Sequence, residues 1–167
     1  MRALLLCIVG LFALSGCSSY HLGSGGKLAF TTLYVAPVVN ESNLPQAVAV
    51  VSTELREAFL KDGRVTLVNN ADDADAILTV KLTKYGRSVA ASQANDTGLA
   101  RKFDVTLDAE ATLRDNHQNK FLFEKRKVGA TREVFTDSGQ LQSEYNNVPV
   151  LAETLSKNIL SATLDVW

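Results

Sequence analysis

Twelve residues set the outline of this chain. From Lys102 to Leu113, the apolar residues Phe103, Val105, Leu107, Ala109, Ala111 and Leu113 alternate with Lys102, Asp104, Thr106, Asp108, Glu110 and Thr112. Side chains on a strand point to opposite faces in turn, so alternation this strict means a strand with one buried and one wet face. A sheet with one wet face needs apolar cover on the other. The remaining elements must supply that cover.

Neighbouring strands are legible on both sides. Ala76 to Tyr85 places Ala76, Leu78, Val80 and Leu82 on one face and Ile77, Thr79, Lys81 and Thr83 on the other, with Gly86 marking a bulge or bend. Asp115-Asn116-His117-Gln118-Asn119 turns the chain, and Phe121 to Val128 returns it. The return has mixed phase, because Phe121 and Phe123 share a parity with Lys125 and Lys127. A bulge, or a tip reaching beyond the sheet, accounts for this, and strand character extends to Phe135. The three strands of 76–135 form an antiparallel meander. Leu28 to Val39 reads as a first strand that ends near Pro37, which has no amide to donate. Asn40-Glu41-Ser42 then turns the chain, and Arg64 to Val68 is a short strand-like run.

The cover comes from two amphipathic stretches. Asn43-Leu44-Pro45-Gln46 opens the first helix, with Asn43 as cap, Pro45 in the first turn and Gln46 at the capping-box position. Val48, Val51, Leu55, Ala58 and Phe59 form its apolar stripe, and Gly63 supplies the left-handed stop. After a polar loop over Thr136 to Asn146, Asn147-Val148-Pro149 repeats the opening. The second helix then carries Leu151, Leu155, Ile159, Ala162 and Val166 on one side. The expected fold class is α/β (α+β): a two-layer sandwich with a mostly antiparallel sheet of about four strands and two helices packed on one face.

The N-terminus sets the compartment. Met1-Arg2 is a short positive start, and Ala3 to Leu14 is apolar apart from Gly10. A secretory signal has this layout, and the run is shorter than the roughly 20 residues of a membrane span. A buried core helix would show a polar face, which this stretch lacks. Small residues Ser15-Gly16 precede Cys17. Three segments result: 1–16 as signal peptide, 17–27 as a tether with Gly23, Ser24, Gly25 and Gly26, and 28–167 as one exported domain. Removing 16 of 167 residues leaves 151, an ordinary single domain. Cys7 leaves with the signal, so Cys17 has no disulfide partner. Within the tether, Tyr20-His21-Leu22 adds bulk that a plain spacer does not need.

Composition and motifs exclude several functions. Losing Arg2 takes the 17 basic residues to 16, against 18 acidic, which is no nucleic-acid binder. Only His21 and His117 remain as histidines, so no Cys/His metal cluster is expected. Asp72, Asp73 and Asp75 lack the central Gly and distal Glu of a calcium loop and read as a solvated turn. His117 is the one histidine inside the domain, in an Asn-rich turn, and no nucleophile elbow, phosphate loop or dinucleotide fingerprint occurs. We therefore expect no enzyme, no catalytic or metal residue and no cofactor. Lys120, Lys125, Arg126, Lys127 and Arg132, with Lys81, Lys84 and Arg87, either bind phosphate-bearing headgroups across adjacent strands or form a charge-balanced surface.

Two resemblances sharpen this reading. Leu14-Ser15-Gly16-Cys17 resembles the bacterial lipoprotein signal, which implies a diacylated Cys17 as the acylated mature N-terminus. Ser18 rather than Asp in the next position resembles the outer-membrane sorting choice. Cys17-Ser18-Ser19-Tyr20-His21-Leu22-Gly23 further resembles the Cys-Gly-Tyr-His-Leu start of the LPS-assembly lipoprotein LptE family, with Ser18-Ser19 where the family commonly has one Gly. Leu33 to Asn40, Lys61-Asp62-Gly63-Arg64-Val65, Ala74 to Leu78, Leu113-Arg114-Asp115 and Lys120 to Glu124 are similar to that family in the same order. The resemblance implies a non-enzymatic partner of the outer-membrane β-barrel protein LptD, acting as plug and assembly aid, with lipopolysaccharide as a ligand. The 90–99 loop has no Lys or Arg, whereas better-known members carry basic contact residues near there, so no binding residue is transferred. An independent periplasmic lipoprotein that binds another envelope component, such as a cell-wall synthase, is the competing expectation, and a hydrolase stands behind both.

Overall fold

The computed structural model describes residues 28–89, 102–135 and 140–165. The signal stretch, the whole tether with Cys17 and Tyr20-His21-Leu22, the 90–99 loop and Val166-Trp167 lie outside the described residues. The chain runs β1 (Thr32–Val35), β2 (Val39–Asn40), α1 (Ala47–Asp62), β3 (Thr66–Leu67), a 3-10 turn (Ala71–Asp73), β4 (Ala76–Val89), β5 (Lys102–Asp115), β6 (Lys120–Phe135) and α2 (Gln140–Leu164).

The strands form one sheet in the order β3-β1-β4-β5-β6, with β2 also paired to β4. The α+β class and the two helices agree with expectation, and the strand count is six rather than about four. The antiparallel meander β4-β5-β6 is present with long registers. The additional strands are short and parallel: β1 pairs with β3 and β4, and β2 with β4. Two features raise the count. Pro37 splits the expected first strand into β1 beside Ala76–Leu78 and β2 beside Lys81–Leu82, and the short run after Gly63 joins the sheet as β3 beside β1.

β5 keeps the alternation read from its sequence. Val105, Leu107, Ala109, Ala111 and Leu113 are all at most 2% exposed, while Asp104 to Arg114 on the other face stay half-buried between neighbouring strands. Ala76, Leu78, Val80 and Leu82 of β4 bury on the same side. Both helices pack there, with Val51, Leu55 and Phe59 from α1 and Leu151, Leu155 and Ile159 from α2 fully buried in one core. The opposite face of the sheet remains open.

One irregularity is displaced from the sequence reading, and the other falls where it was expected. In β4 the register shifts between Leu82 and Lys84, so the extra residue is Thr83, while Gly86 pairs regularly with Thr106. In β6 the mixed phase resolves into two shifts, opposite Ala111/Leu113 and Leu113/Arg114. Lys125 takes the extra position with φ 47°, and its amide donates to the Thr112 hydroxyl at 3.0 Å. The bulge puts Arg126 and Arg132 on the helix side of the sheet.

Helix ends show a second set of corrections. Gly63 stops α1 as expected, at φ 71° with its amide donating to the Phe59 carbonyl. The start belongs to Gln46, whose side chain makes no capping bond, and not to Asn43. The approach is ordered from upstream instead: Asn40 Oδ1 accepts from the Ser42 amide and hydroxyl, and Asn40 Nδ2 donates to the Leu44 carbonyl. α2 begins at Gln140, inside the segment read as polar loop, and Pro149 lies within the helix. An interior proline costs about 3 kcal/mol. Burial of Val148, Leu151, Ala152 and Leu155 around it outweighs that cost.

Ser156 on α2 is 1% exposed, and its hydroxyl has no hydrogen-bond partner among the described residues. An unsatisfied buried hydroxyl is destabilising. Ser156→Ala is therefore expected to raise stability by about 1 kcal/mol, measured as a higher urea midpoint at unchanged slope.

Candidate functional site

Two surfaces collect the chemistry of the described chain: the open face of the sheet and the end of the sheet that carries the β5–β6 turn. The open face is built by Ile77, Thr79, Lys81 and, past the extra Thr83, Lys84 of β4, by the even-numbered residues of β5, and by Lys127, Gly129, Thr131 and Glu133 of β6. Lys81 of β4 lies opposite Glu110 of β5, and Lys84 opposite Asp108. On the other side Lys127 of β6 lies opposite Glu110, and Gly129 opposite Asp108. Lys81 also reaches Glu41, with Nζ 3.3 Å from Oε2.

A shallow groove of about 470 Å³ runs across this face, lined by Thr83, Lys84, Asp108, Glu110, Lys127 and Gly129 among others. Gly129 is needed for its shape. A Cβ there would meet Asp108 Oδ1 at 2.7 Å, so only glycine lets that carboxylate lie over the β6 backbone. The groove thus presents two ammonium groups and two carboxylates on a peptide floor. This arrangement offers hydrogen bonds and local charge complementarity to another polar surface.

The basic residues read together in the sequence are divided by the fold. β4 and β6 are not adjacent, and the acidic row of β5 runs between them. Arg126 turns to the helix side, where its guanidinium covers the Phe123 ring at 4.1 Å and donates to the Ala162 carbonyl of α2. Arg132 donates from Nε to Asn147 Oδ1 at 2.7 Å. Arg87 lies 5.4 Å from the Phe103 ring centre. Lys81, Lys84 and Lys127 share the open face with the β5 carboxylates. A single phosphate-binding patch does not form, and the surface is charge-balanced.

At the turn end, Asp75 belongs to a run whose sequence suggests a solvated turn, and the fold makes it a junction instead. Its Oδ2 accepts from the amides of Thr31 and Thr32 and from the Thr31 hydroxyl, at 2.8–2.9 Å. Its Oδ1 faces His117 Nε2 at 3.0 Å. An ionised carboxylate only accepts, so Nε2 carries the proton in this pair. The His117 bond, followed by the Thr31 and Thr32 amides and the Thr31 hydroxyl, holds the Asp75 carboxyl well below the usual carboxylate range. A group so easily ionised is a poor base near neutral pH. Asp75 and His117 therefore join β1 to the β5–β6 turn, and Asn116 adds bonds from Nδ2 to the Ala71 and Ala74 carbonyls. Asp72 and Asp73 lie in the 3-10 turn beside them, and no group of metal-binding side chains occurs among the described residues. The signal that marks Asp75 is faint in sequence, an Asp directly before a strand and a distant Asn-His turn.

The model of the LptE family, described as lipopolysaccharide-assembly, matches residues 30–163. The chain belongs to the LptE family. The resemblance read from the ordered short motifs is thereby supported over most of the domain, and the protein has a general role in lipopolysaccharide assembly. No curated protein matches it closely enough to count as a relative. Solved structures similar to this LptE-family chain include the hypothetical protein CT253 from Chlamydia trachomatis, at 11% identity and TM-score 0.57, covering 80% of this chain and 95% of that one. Protein XCC0632 from Xanthomonas campestris is similar at 13% identity and TM-score 0.56, with 80% and 84% covered. Uncharacterized lipoprotein B from Nitrosomonas europaea is similar at 20% identity and TM-score 0.52, with 83% and 82% covered. At these identities the likeness is one of fold.

Proposed function

We propose that this LptE-family protein is a lipid-anchored partner of the outer-membrane barrel protein LptD, acting on the periplasmic side as plug and assembly factor in lipopolysaccharide transport. The family match over residues 30–163 carries the reading. The open face of the sheet supports it. The lumen of a large outer-membrane barrel is polar and wet, and a plug needs a matching polar surface that is not consumed by its own fold. Lys81, Lys84, Asp108, Glu110 and Lys127 on uncovered strands provide one. The role needs no catalytic group.

The anchor in this reading is Cys17, released as the mature N-terminus by removal of residues 1–16 and acylated on its thiol. Several acyl chains give a stable attachment where one gives only a marginal one. Among the described residues no helix is long and apolar enough to cross a membrane, so attachment in this reading rests on the acyl chains.

Extraction in mild detergent is expected to recover the protein with a large β-barrel, identified by mass spectrometry. Depletion is expected to reduce lipopolysaccharide at the cell surface. Recovery alone, or with a cell-wall synthase and no barrel, overturns the proposal and favours an independent periplasmic lipoprotein.

A further inference from the structure

The end of the sheet that carries the β5–β6 turn is also where the chain comes into the domain. Thr31 and Thr32 are held by Asp75, and Asp75 by His117 of the turn, so the first described residues and the turn are fixed side by side. Leu28 packs against the core immediately before them.

The same end exposes apolar side chains. Phe121 is 50% and Leu122 42% exposed, and they directly follow the turn at the start of β6. The register shift between Leu113 and Arg114 leaves Leu122 as the extra residue between Phe121 and Phe123. Among the exposed large hydrophobics of the described residues, these two are the only sequence neighbours. Leu60, 67% exposed, lies in the last turn of α1, which returns to this end to start β3 beside Thr32.

Ten residues separate Cys17 from Leu28. A chain of that length spans no more than about 40 Å even when fully extended. An acylated Cys17 therefore keeps this end, and not the far end of the long strands, beside the bilayer. We propose that the turn end is a membrane-contact surface, with Phe121 and Leu122 inserted into the headgroup boundary of a phospholipid bilayer. This rests on the lipid-anchor reading of Cys17.

Charge argues for a neutral rather than an anionic surface. Lys61, Arg114, Lys120 and Lys125 at this end are matched by Asp72, Asp73, Asp115 and Glu124, and Arg64 is paired with Asp62 and Asp165. The contact is apolar insertion. Two side chains give little affinity by themselves, and the tether makes the contact effective by keeping the surface within reach.

The test uses the full mature chain in phosphatidylcholine vesicles. Trp167→Phe removes the native tryptophan, and Leu122→Trp or, as the far-end control, Ser88→Trp supplies a reporter. At position 122 the emission is expected to shift to the blue, and brominated phosphatidylcholine is expected to quench it at least twofold. At position 88 neither change is expected. Adding Phe121→Ser, whose side chain is half exposed and whose folding is checked by thermal melt, is expected to reduce the quenching at 122 by half or more.

The intact mass reports acylation separately. If the chain is unacylated, the anchor reading fails, and the contact is tested with Cys17, the one thiol of the mature chain, coupled to a maleimide phospholipid. An unshifted, unquenched reporter at 122 on anchored protein overturns the proposal. So does a reporter that becomes shielded only when a barrel protein is added, since the surface then belongs to a protein partner.

Discussion

Phe59→Ala is expected to destabilise the domain by about 3–5 kcal/mol, the largest effect of any single truncation proposed for this protein. Phe59 is 0% exposed and among the largest fully buried side chains. It ends the apolar stripe of α1, and its carbonyl takes the amide of Gly63 that closes the helix. Removing the ring takes away packing from the core shared by α1, α2 and the sheet, and the surroundings relax only in part. In a domain of this size the melting temperature falls by roughly 10–20 °C. Phe59→Leu keeps most of the volume and costs less than about 1.5 kcal/mol. Equilibrium urea unfolding of the two variants checks both figures. A loss below about 1 kcal/mol for Phe59→Ala means that α1 is not seated on the sheet as described.

The second large effect belongs to Asp75. Asp75→Ala removes the shared acceptor of the Thr31 amide and hydroxyl, the Thr32 amide and His117. Hydrogen bonds to a charged group contribute more than neutral ones, and the side chain is 30% exposed, so water replaces part of the loss. The expected cost is about 2 kcal/mol. The pH dependence has a definite sign. In the unfolded chain the Asp75 carboxyl titrates near its ordinary value of about 3.9, and in the folded chain it stays ionised to lower pH. Its stabilisation is therefore complete above the unfolded value. As pH falls below that value, the unfolded chain takes up a proton that the native state refuses, and the stabilisation drains away until the folded value is passed. Asp75→Asn should flatten the acid limb of stability between about pH 5 and pH 2. Urea midpoints measured across that range for both proteins decide it, and parallel acid limbs would sink the junction.

Phe59 and Asp75 differ in how far each could be read in advance. Phe59 stands at the helical spacing of a clear apolar stripe, with Gly63 four residues on, and burial followed the pattern. Asp75 stands beside Asp72 and Asp73 in a run that reads as solvated. Its partners are 42 to 44 residues away, so nothing local separates it from its neighbours. The same holds for the cations. Lys127 and Arg126 are adjacent in sequence, yet one faces the groove and the other is spent on α2.

The alternation of β5 by itself determined a strand with one wet face and the need for apolar cover on the other, and the stripes at 48–59 and 151–166 named two helices to supply it, because side-chain period and burial are local consequences of the backbone. The ordered short motifs pointed to the LptE family, and the family match followed them. Tertiary structure decided the rest. It placed the extra residue at Thr83, ran α2 through Pro149 and separated the basic residues. It also brought the first described residues to the same end as Phe121 and Leu122. Each of these depends on strand register and on packing between residues far apart in the chain, where a favourable buried surface overrides local preference.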